Sequence, residues 1–439
     1  MRLLLGFCLS FLMLLGCNNN PKTDSNLNFA YLIHELNDGL RDVVVEDGFA
    51  PPIASRIYAY PNIAAYEIAI LGLEDSFVSV VGQLKDLNSL PKPEANLGNG
   101  KYVALVQAYS DVATHMTYRD HLMEAVRDTL LTGLKPIMDD EQYKAGIIYG
   151  STVAKAVIEW ANADGYNQTR NLPKFTVGNG ETDWQPTPPK YGEAIEPYWG
   201  TIRPFVIETD SQFRLTLPYQ YSTDTASEYY RLVKELQQIT NEATAEQITI
   251  AKFWDCNPTP SVIDGHVMQT NKQNTPPGHW MGIATTAIKW HQLNLAESCE
   301  VYMKTMVSMA DGFKCAWDSK YATNFLRPET FIVKHIDPNW TTKLETPLFP
   351  EFPSAHSVIS ACAVQILTDR FGDKFGFIDS TNVPYGQIPR QFNSFKEAGK
   401  EAALSRVYGG IHYKPSCEMG YEQGVNVGQW TLTHLKTRK

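Results

Sequence analysis

Three short clusters in the last third of the chain carry side chains from which an oxyanion site can be built. Lys320 and Arg327-Pro328 come first, with six residues between the lysine and the arginine. Pro353-Ser354-Ala355-His356 follows, and then Ser405-Arg406, with five residues between Arg406 and His412. Lysine and arginine supply the positive charge needed to hold a tetrahedral oxyanion, and arginine adds bidentate geometry. Ser354 is a good helix N-cap. Behind it Ser357, Val358, Ile359, Ala361, Cys362, Val364, Ile366 and Leu367 read as a largely buried helix. A hydroxyl, backbone N–H groups and an imidazole therefore gather at one helix N-terminus, whose partial positive charge attracts anions. His356 and His412 divide naturally into a nucleophile or ligand and a proton donor. Taken singly, each residue also suits a structural role. Lys320 reads equally as a solvated helix lysine, Arg406 as the close of a helix, His412 as a loop histidine and Ser354 as a plain cap.

The elements that must position these groups read as helices. Pro350 and Pro353 hold the approach to Ser354 extended, because each restricts the residue before it. Ser394 and Glu397 have the spacing to cap a helix that delivers Ser405 and Arg406. Upstream, helical spacing covers Leu27–Val45, then Ala54–Leu73 with a kink expected at Pro61, Tyr102–Met116, Arg119–Leu134 and Asp139–Ala163. Residues Gly165–Pro218 form a long segment rich in Gly, Pro, Thr and Trp, read as an ordered wrap. Helices resume at Thr225–Ile239 and at Thr244–Trp254, where Thr244 and Gln247 are spaced as a capping box. A loop over Asn257–Gly278 separates these from long helices at His279–Leu293 and Leu295–Asn324. No alternating strand pattern of convincing length and no internal repeat is present. The fold class expected is all-α, two packed helical bundles with the N-terminal half sheltering a C-terminal catalytic one.

The chain has 439 residues, 43% hydrophobic and 20% charged, enough for a substantial core. Its net charge of −10 argues against nucleic acid as a partner, so any cations that bind an anion must be clustered locally. Met1-Arg2, the apolar run Leu3–Leu15 and the polar Asn18–Pro21 read as a processing segment, too short to span a membrane comfortably. Leu14-Leu15-Gly16-Cys17 resembles a bacterial lipobox, which implies lipidation of Cys17 and a cell-envelope lipoprotein whose only membrane contact is the lipid anchor. The expected organisation is a lipoprotein signal peptide (1–17), a polar tether (18–26), an N-terminal helical region with the long Pro/Trp-rich loop (27–243) and a C-terminal bundle (244–435). Cys256, Cys299, Cys315, Cys362 and Cys417 match no zinc spacing and read mainly as small buried hydrophobes, with one disulfide conceivable.

In their order, Lys-x6-Arg-Pro, Pro-Ser-x-His and Ser-Arg-x5-His resemble the three-part signature of the type 2 phosphatidic acid phosphatase and vanadium-dependent haloperoxidase superfamily. Ile250–Trp254, Thr275–Trp280, Pro51–Ala59 and Phe349, seven residues before His356, are similar to the haloperoxidase branch. The resemblance implies vanadate as cofactor, or phosphate as substrate group. Lys320, Arg327 and Arg406 would neutralise its oxygens, while Ser354 and the Ala355 N–H would hydrogen-bond to it. His356 would be the acid–base group, and His412 the residue bonded to vanadium or carrying a phosphoryl group. Hydrogen peroxide and halide are the implied substrates. The alternatives are a phosphate ester hydrolysed through a phosphohistidine, and an anion-binding lipoprotein without turnover. Two residues depart from the family pattern. Ala355 replaces a glycine, and Ser416 stands where the family places an aspartate that orients the second histidine. Glu418 is offset from the helical face it would need. Asp255 is a candidate brace for the arginines and His279 a candidate supporting residue. The other histidines form no zinc-binding pattern.

Overall fold

The computed structural model describes residues 28–94, 97–257, 260–264, 267–270 and 272–439. The leader, the lipobox Cys17 and the tether lie outside them, as does His266. The first half supplies α1 (Ala30–Asp47), α2 (Pro51–Ala69), α3 (Gly100–Met116), α4 (Asp120–Leu134), α5 (Asp140–Asn162) and the single turn α6 (Tyr166–Thr169). After the wrap come α7 (Glu228–Asn241), α8 (Ala245–Phe253), α9 (Pro276–Trp290), α10 (Leu295–Thr323), α11 (Pro328–His335), α12 (Ala355–Phe371), α13 (Phe395–Tyr408) and α14 (Lys414–His434). The all-α reading holds.

The differences are local and have physical causes. The expected loop over Asn257–Gly278 contains an antiparallel hairpin, β1 (Pro260–Asp264) with β2 (Val267–Thr270). A second hairpin pairs β3 (Phe377–Asp379) with β4 (Arg390–Phe392). Strands this short leave too few alternations to stand out from the helical background. Helix α2 begins at Pro51 and does not wait for Ala54, because prolines in a first turn forgo only N–H groups that have no helical partner. Helices α11 and α14 open in the same way, on Pro328 and on Lys414-Pro415. Helix α14 hides its propensity behind Gly420, Gly424 and Gly428, which face α12. A methyl at Gly424 would collide with the Val358 carbonyl, and one at Gly420 would meet the Ser354 carbonyl at 2.8 Å. These glycines let two backbones approach closely at the N-terminus of α12.

Helix α10 is the shared pillar. Asn294 and Glu297 cap it reciprocally. It packs on α2 from the first half and on α12 and α14 from the second. One apolar core runs through both halves, from Leu32 and Ile57 to Met306, Val358 and Val427.

The Pro/Trp-rich segment is an ordered wrap. Trp184 and Trp199 are buried. Trp184 N–H donates to Asn324 O at 2.8 Å, and Ile195 N–H to Leu348 O at 2.8 Å. Asp311, buried on α10, accepts the N–H groups of Phe205, Val206 and Ile207 at 2.7, 2.7 and 3.2 Å. Asp311→Ala leaves these buried donors without an acceptor and is expected to cost about 3–5 kcal/mol. Asp311→Asn, which keeps one acceptor oxygen, should fall between the two. Denaturant midpoints at constant m-value check this.

Candidate active site

The residues before Ser354 form an extended rail that two cations grip. Lys320 Nζ, at the end of α10, donates to Pro350 O and Glu351 O at 2.8 and 3.0 Å. Arg327, the N-cap residue of α11, donates from Nε to Phe349 O at 2.9 Å and from Nη1 to Ile411 O at 3.0 Å. Both cationic groups sit 5.0 Å from the centre of the Phe349 ring. Burial pulls the Lys320 ammonium well below its usual range, and Arg327 adds to that, while Glu351 opposes it. Burial likewise lowers Arg327, to about 9, with Glu351 holding it up.

His412 lies just beyond the end of α13. Its Nδ1 is 2.8 Å from Glu351 Oε1, and its Nε2 is 3.1 Å from Arg327 Nη1. Glu351 Oε1 also accepts the Tyr413 N–H at 3.1 Å, and Oε2 accepts the Ser416 hydroxyl at 2.8 Å and the Tyr219 hydroxyl at 3.3 Å. Burial holds the Glu351 carboxyl above its usual range, against the pull of Arg327, Lys320 and the hydrogen bonds from Ser416 and the Tyr413 N–H. Burial, then Arg327, Lys320 and Arg406, hold His412 well below its usual pKa. His412 is thus a neutral imidazole with its proton on Nδ1 toward Glu351 and its lone pair on Nε2.

This overturns the expectation drawn from Ser416. The carboxylate that orients His412 is present, supplied by Glu351 from the rail and not from the helix after His412. Ser416 serves the far oxygen of that same carboxylate. Glu418 stands exposed, 3.8 Å from Lys414.

The remaining side chains close the site. Arg406, in the last turn of α13, donates from Nη1 to Trp254 O at 3.2 Å and lies with Nη2 3.6 Å from Asp255. Asp255 therefore braces one of the arginines, Arg406. Ser354 caps α12, its Oγ accepting from the Ser357 hydroxyl at 2.9 Å, and its N–H donates to Ser416 O at 3.0 Å. Ala355, His356, Arg406 and His412 line one cavity together with Phe349. Lys320 and Arg327 adjoin it through the Phe349 ring, and Arg327 also through His412, while Ser354 directly precedes Ala355. Burial, then Arg406 and His279, keep His356 far below its usual pKa and thus neutral, despite a hydrogen bond to the Trp254 backbone.

Two buried polar atoms here have no partner: Arg327 Nη2 and His356 Nε2. An unpartnered buried guanidinium N–H is costly, and an oxyanion oxygen is the acceptor that relieves it. Three cations, a helix N-terminus, an imidazole lone pair and these two atoms fit a bound vanadate or phosphate.

Residues 333–438 match the family described as the VCPO second helical-bundle domain. The crystal structure of a bacterial vanadium-dependent iodoperoxidase is 40% identical, with a TM-score of 0.86 over 94% of this chain and 99% of that one. The chain belongs to the vanadium-dependent haloperoxidase family. Holo and apo structures of a bacterial vanadium-dependent chloroperoxidase, at 16% and 17% identity, share the fold with TM-scores of 0.67 and 0.65. The first covers 89% of this chain and 94% of its own, the second 88% and 96%. No curated protein matches the chain.

For this haloperoxidase-family chain, sequence reasoning missed Glu351 and the aromatic wall of Phe313 and Trp317. Glu351 had left a signal: an acid between Pro350 and Phe352-Pro353, in a run too apolar to expose it. The Pro51 and Thr275-Pro276 motifs do reach the site, since Pro51 and Pro276 line the cavity. His279 lies among Cys256, Asp379 and Asn382. The arrangement predicts that ¹⁵N-histidine NMR finds His412 neutral and protonated at Nδ1 from pH 6 to 8, roughly. Glu351→Gln should mix its tautomers, whereas Ser416→Ala should leave the Nδ1–H form dominant.

Proposed function

We propose that this protein holds vanadate in the cavity described above and oxidises halide, iodide foremost, with hydrogen peroxide. The observation that carries the proposal is a cavity lined by Arg406, His356 and His412, with Lys320 and Arg327 packed against its Phe349 and Arg327 against its His412, where Arg327 Nη2 and His356 Nε2 lack partners. The 40% identical relative is an iodoperoxidase, which supports the choice of halide.

When bound, vanadate supplies Lewis-acid activation of peroxide toward attack by a halide. The chain's own residues do the rest. Lys320, Arg327 and Arg406 neutralise the anion's charge, and Arg327 does so with a guanidinium held rigid by the rail and Ile411 carbonyls. Ser354 Oγ–H and the first-turn N–H of Ala355 donate hydrogen bonds, as N–H groups at a helix start are free to do. His412 would hold vanadate through Nε2, which now faces Arg327 Nη1, because Glu351 keeps the ring proton on Nδ1. His356 is neutral, so its free Nε2 can take a proton from incoming peroxide and return it to a leaving oxygen. Phe313, Trp317 and Phe349 keep bulk water from the cations, which strengthens each charge interaction.

Triiodide absorbance should show iodide oxidation only after orthovanadate is added. His412→Ala should abolish it together with vanadate retention. Arg327→Gln should lower kcat/KM about 10²–10³-fold. Aryl phosphate hydrolysis inhibited by vanadate, without halide oxidation, would return the site to a phosphatase acting through a phosphohistidine on His412.

We also propose that Cys17 carries the lipid anchor, on the strength of Leu14-Leu15-Gly16-Cys17 after an apolar run. Among the described residues no helix is long and apolar enough to cross a membrane. A clickable palmitate analogue should label the protein in cells. Cys17→Ala should lose the label and move the protein out of the membrane fraction.

A further inference from the structure

One wall of the cavity carries a thiol in a setting unlike that of the other cysteines. Cys256 lines the cavity together with His356 and Arg406. Its Sγ lies 3.3 Å from His279 Nδ1, and His279 Nε2 lies 2.7 Å from Asp379 Oδ2. The Thr381 N–H, at 3.0 Å, holds the Asp379 carboxylate in place. His279 is stacked on Trp254 with ring centres 4.7 Å apart, so it cannot swing away from the sulfur. Thiol, imidazole and carboxylate in this order are the arrangement that turns a cysteine into a nucleophile.

The other four described cysteines have no such partner. Cys299, Cys315, Cys362 and Cys417 are buried and unbridged, and burial pushes each thiol up, Cys417 to about 12. At His279 burial opposes a proton, yet Asp379 and Cys256 outweigh it and raise the ring to about 10, which suits Nδ1, shared with the Asn382 amide at 3.1 Å, to take the thiol proton. The halide chemistry uses His279 only for its charge beside His356 and gives the Cys256 thiol no part. That thiol faces a cavity with an unpartnered imidazole nitrogen, His356 Nε2, at which a small polar molecule can bind.

We infer that Cys256 is a peroxide-reactive thiol, activated by His279 and Asp379, and that its oxidation reversibly shuts the cavity it lines. The inference rests on the proposed function in one respect: hydrogen peroxide must enter that cavity. The Cys256 thiol passes its proton to His279 Nδ1 and its sulfur attacks one peroxide oxygen, so that an S–O bond forms and the O–O bond breaks. The leaving hydroxide takes the proton from His279 Nδ1 and departs as water, leaving a sulfenic acid at Cys256. Sulfur is oxidised by two electrons and peroxide is reduced by two. The added oxygen projects into the space shared with His356 and Arg406, where it obstructs the anion. Two equivalents of an external thiol reverse the step, the first forming a mixed disulfide with release of water and the second displacing it.

The test uses the purified protein free of vanadate, exposed to hydrogen peroxide with dimedone present and mapped by peptide mass spectrometry. A parallel sample is treated with peroxide alone, loaded with vanadate and assayed for iodide oxidation before and after dithiothreitol. The adduct is expected at Cys256 and not at Cys299, Cys315, Cys362 or Cys417. His279→Gln should slow its formation by at least about tenfold. Activity lost to peroxide should return with dithiothreitol, and Cys256→Ser should keep, under peroxide, the activity it starts with. No adduct at Cys256 in the native protein, or equal peroxide inactivation of Cys256→Ser, overturns the inference. Because the adduct is read without vanadate or halide, labelling at Cys256 in a protein that fails to oxidise iodide supports the thiol chemistry and refutes only the proposed function. Iodide oxidation with no adduct refutes the thiol chemistry alone.

Discussion

The site depends on one buried carboxylate. Glu351 has no exposed surface, yet it answers to six groups: the His412 ring, the Tyr413 N–H, the Ser416 and Tyr219 hydroxyls, and the charges of Lys320 and Arg327. A buried charge is tolerated only when it is satisfied this fully. The benefit is mutual. Two cations crowded against one aromatic ring would repel each other without a nearby negative charge, and His412 would have no reason to prefer one tautomer. Glu351 also belongs to the same short rail as Ser354 and His356, so a single segment of chain orients the second histidine and supplies the first.

The two halves of the chain meet where this matters. Helix α10 carries Lys320 at its end and Asp311 in its middle, and Asp311 ties down the wrap from the first half. The wrap also pairs with Asn324, at the end of α10, and with Leu348, just before the rail. The N-terminal half thus fixes the path of the backbone to which Lys320 and Arg327 are bonded, and Pro51 at the start of α2 closes the cavity wall.

The cations, the two histidines and the serine cap were legible because each is a local pattern: a spacing, a cap, a proline that forces extension. Most helices were legible for the same reason. Glu351 was not, because its partner His412 is far away in sequence and no spacing rule connects them. Reading Ser416 as a gap was a consequence of looking for the acid only on the same helix. Helix α14 was obscured by the glycines that serve it, since propensity counts against them while close packing requires them. The Cys256–His279–Asp379 array joins a loop residue, a helix and a strand end, and only the folded chain brings them together.

The glycine face of α14 has a consequence for how this protein can change. Where main chain rests on main chain, no side-chain adjustment is available to take up a shift, so the height of Ser354 and Ala355 relative to the rail is fixed like a machined stop. Variation in what the enzyme accepts is therefore expected among the other side chains that line the cavity, at Phe313, Trp317 and Cys256. The anion cradle is the rigid half of the site, and the wall is the half that selection can tune.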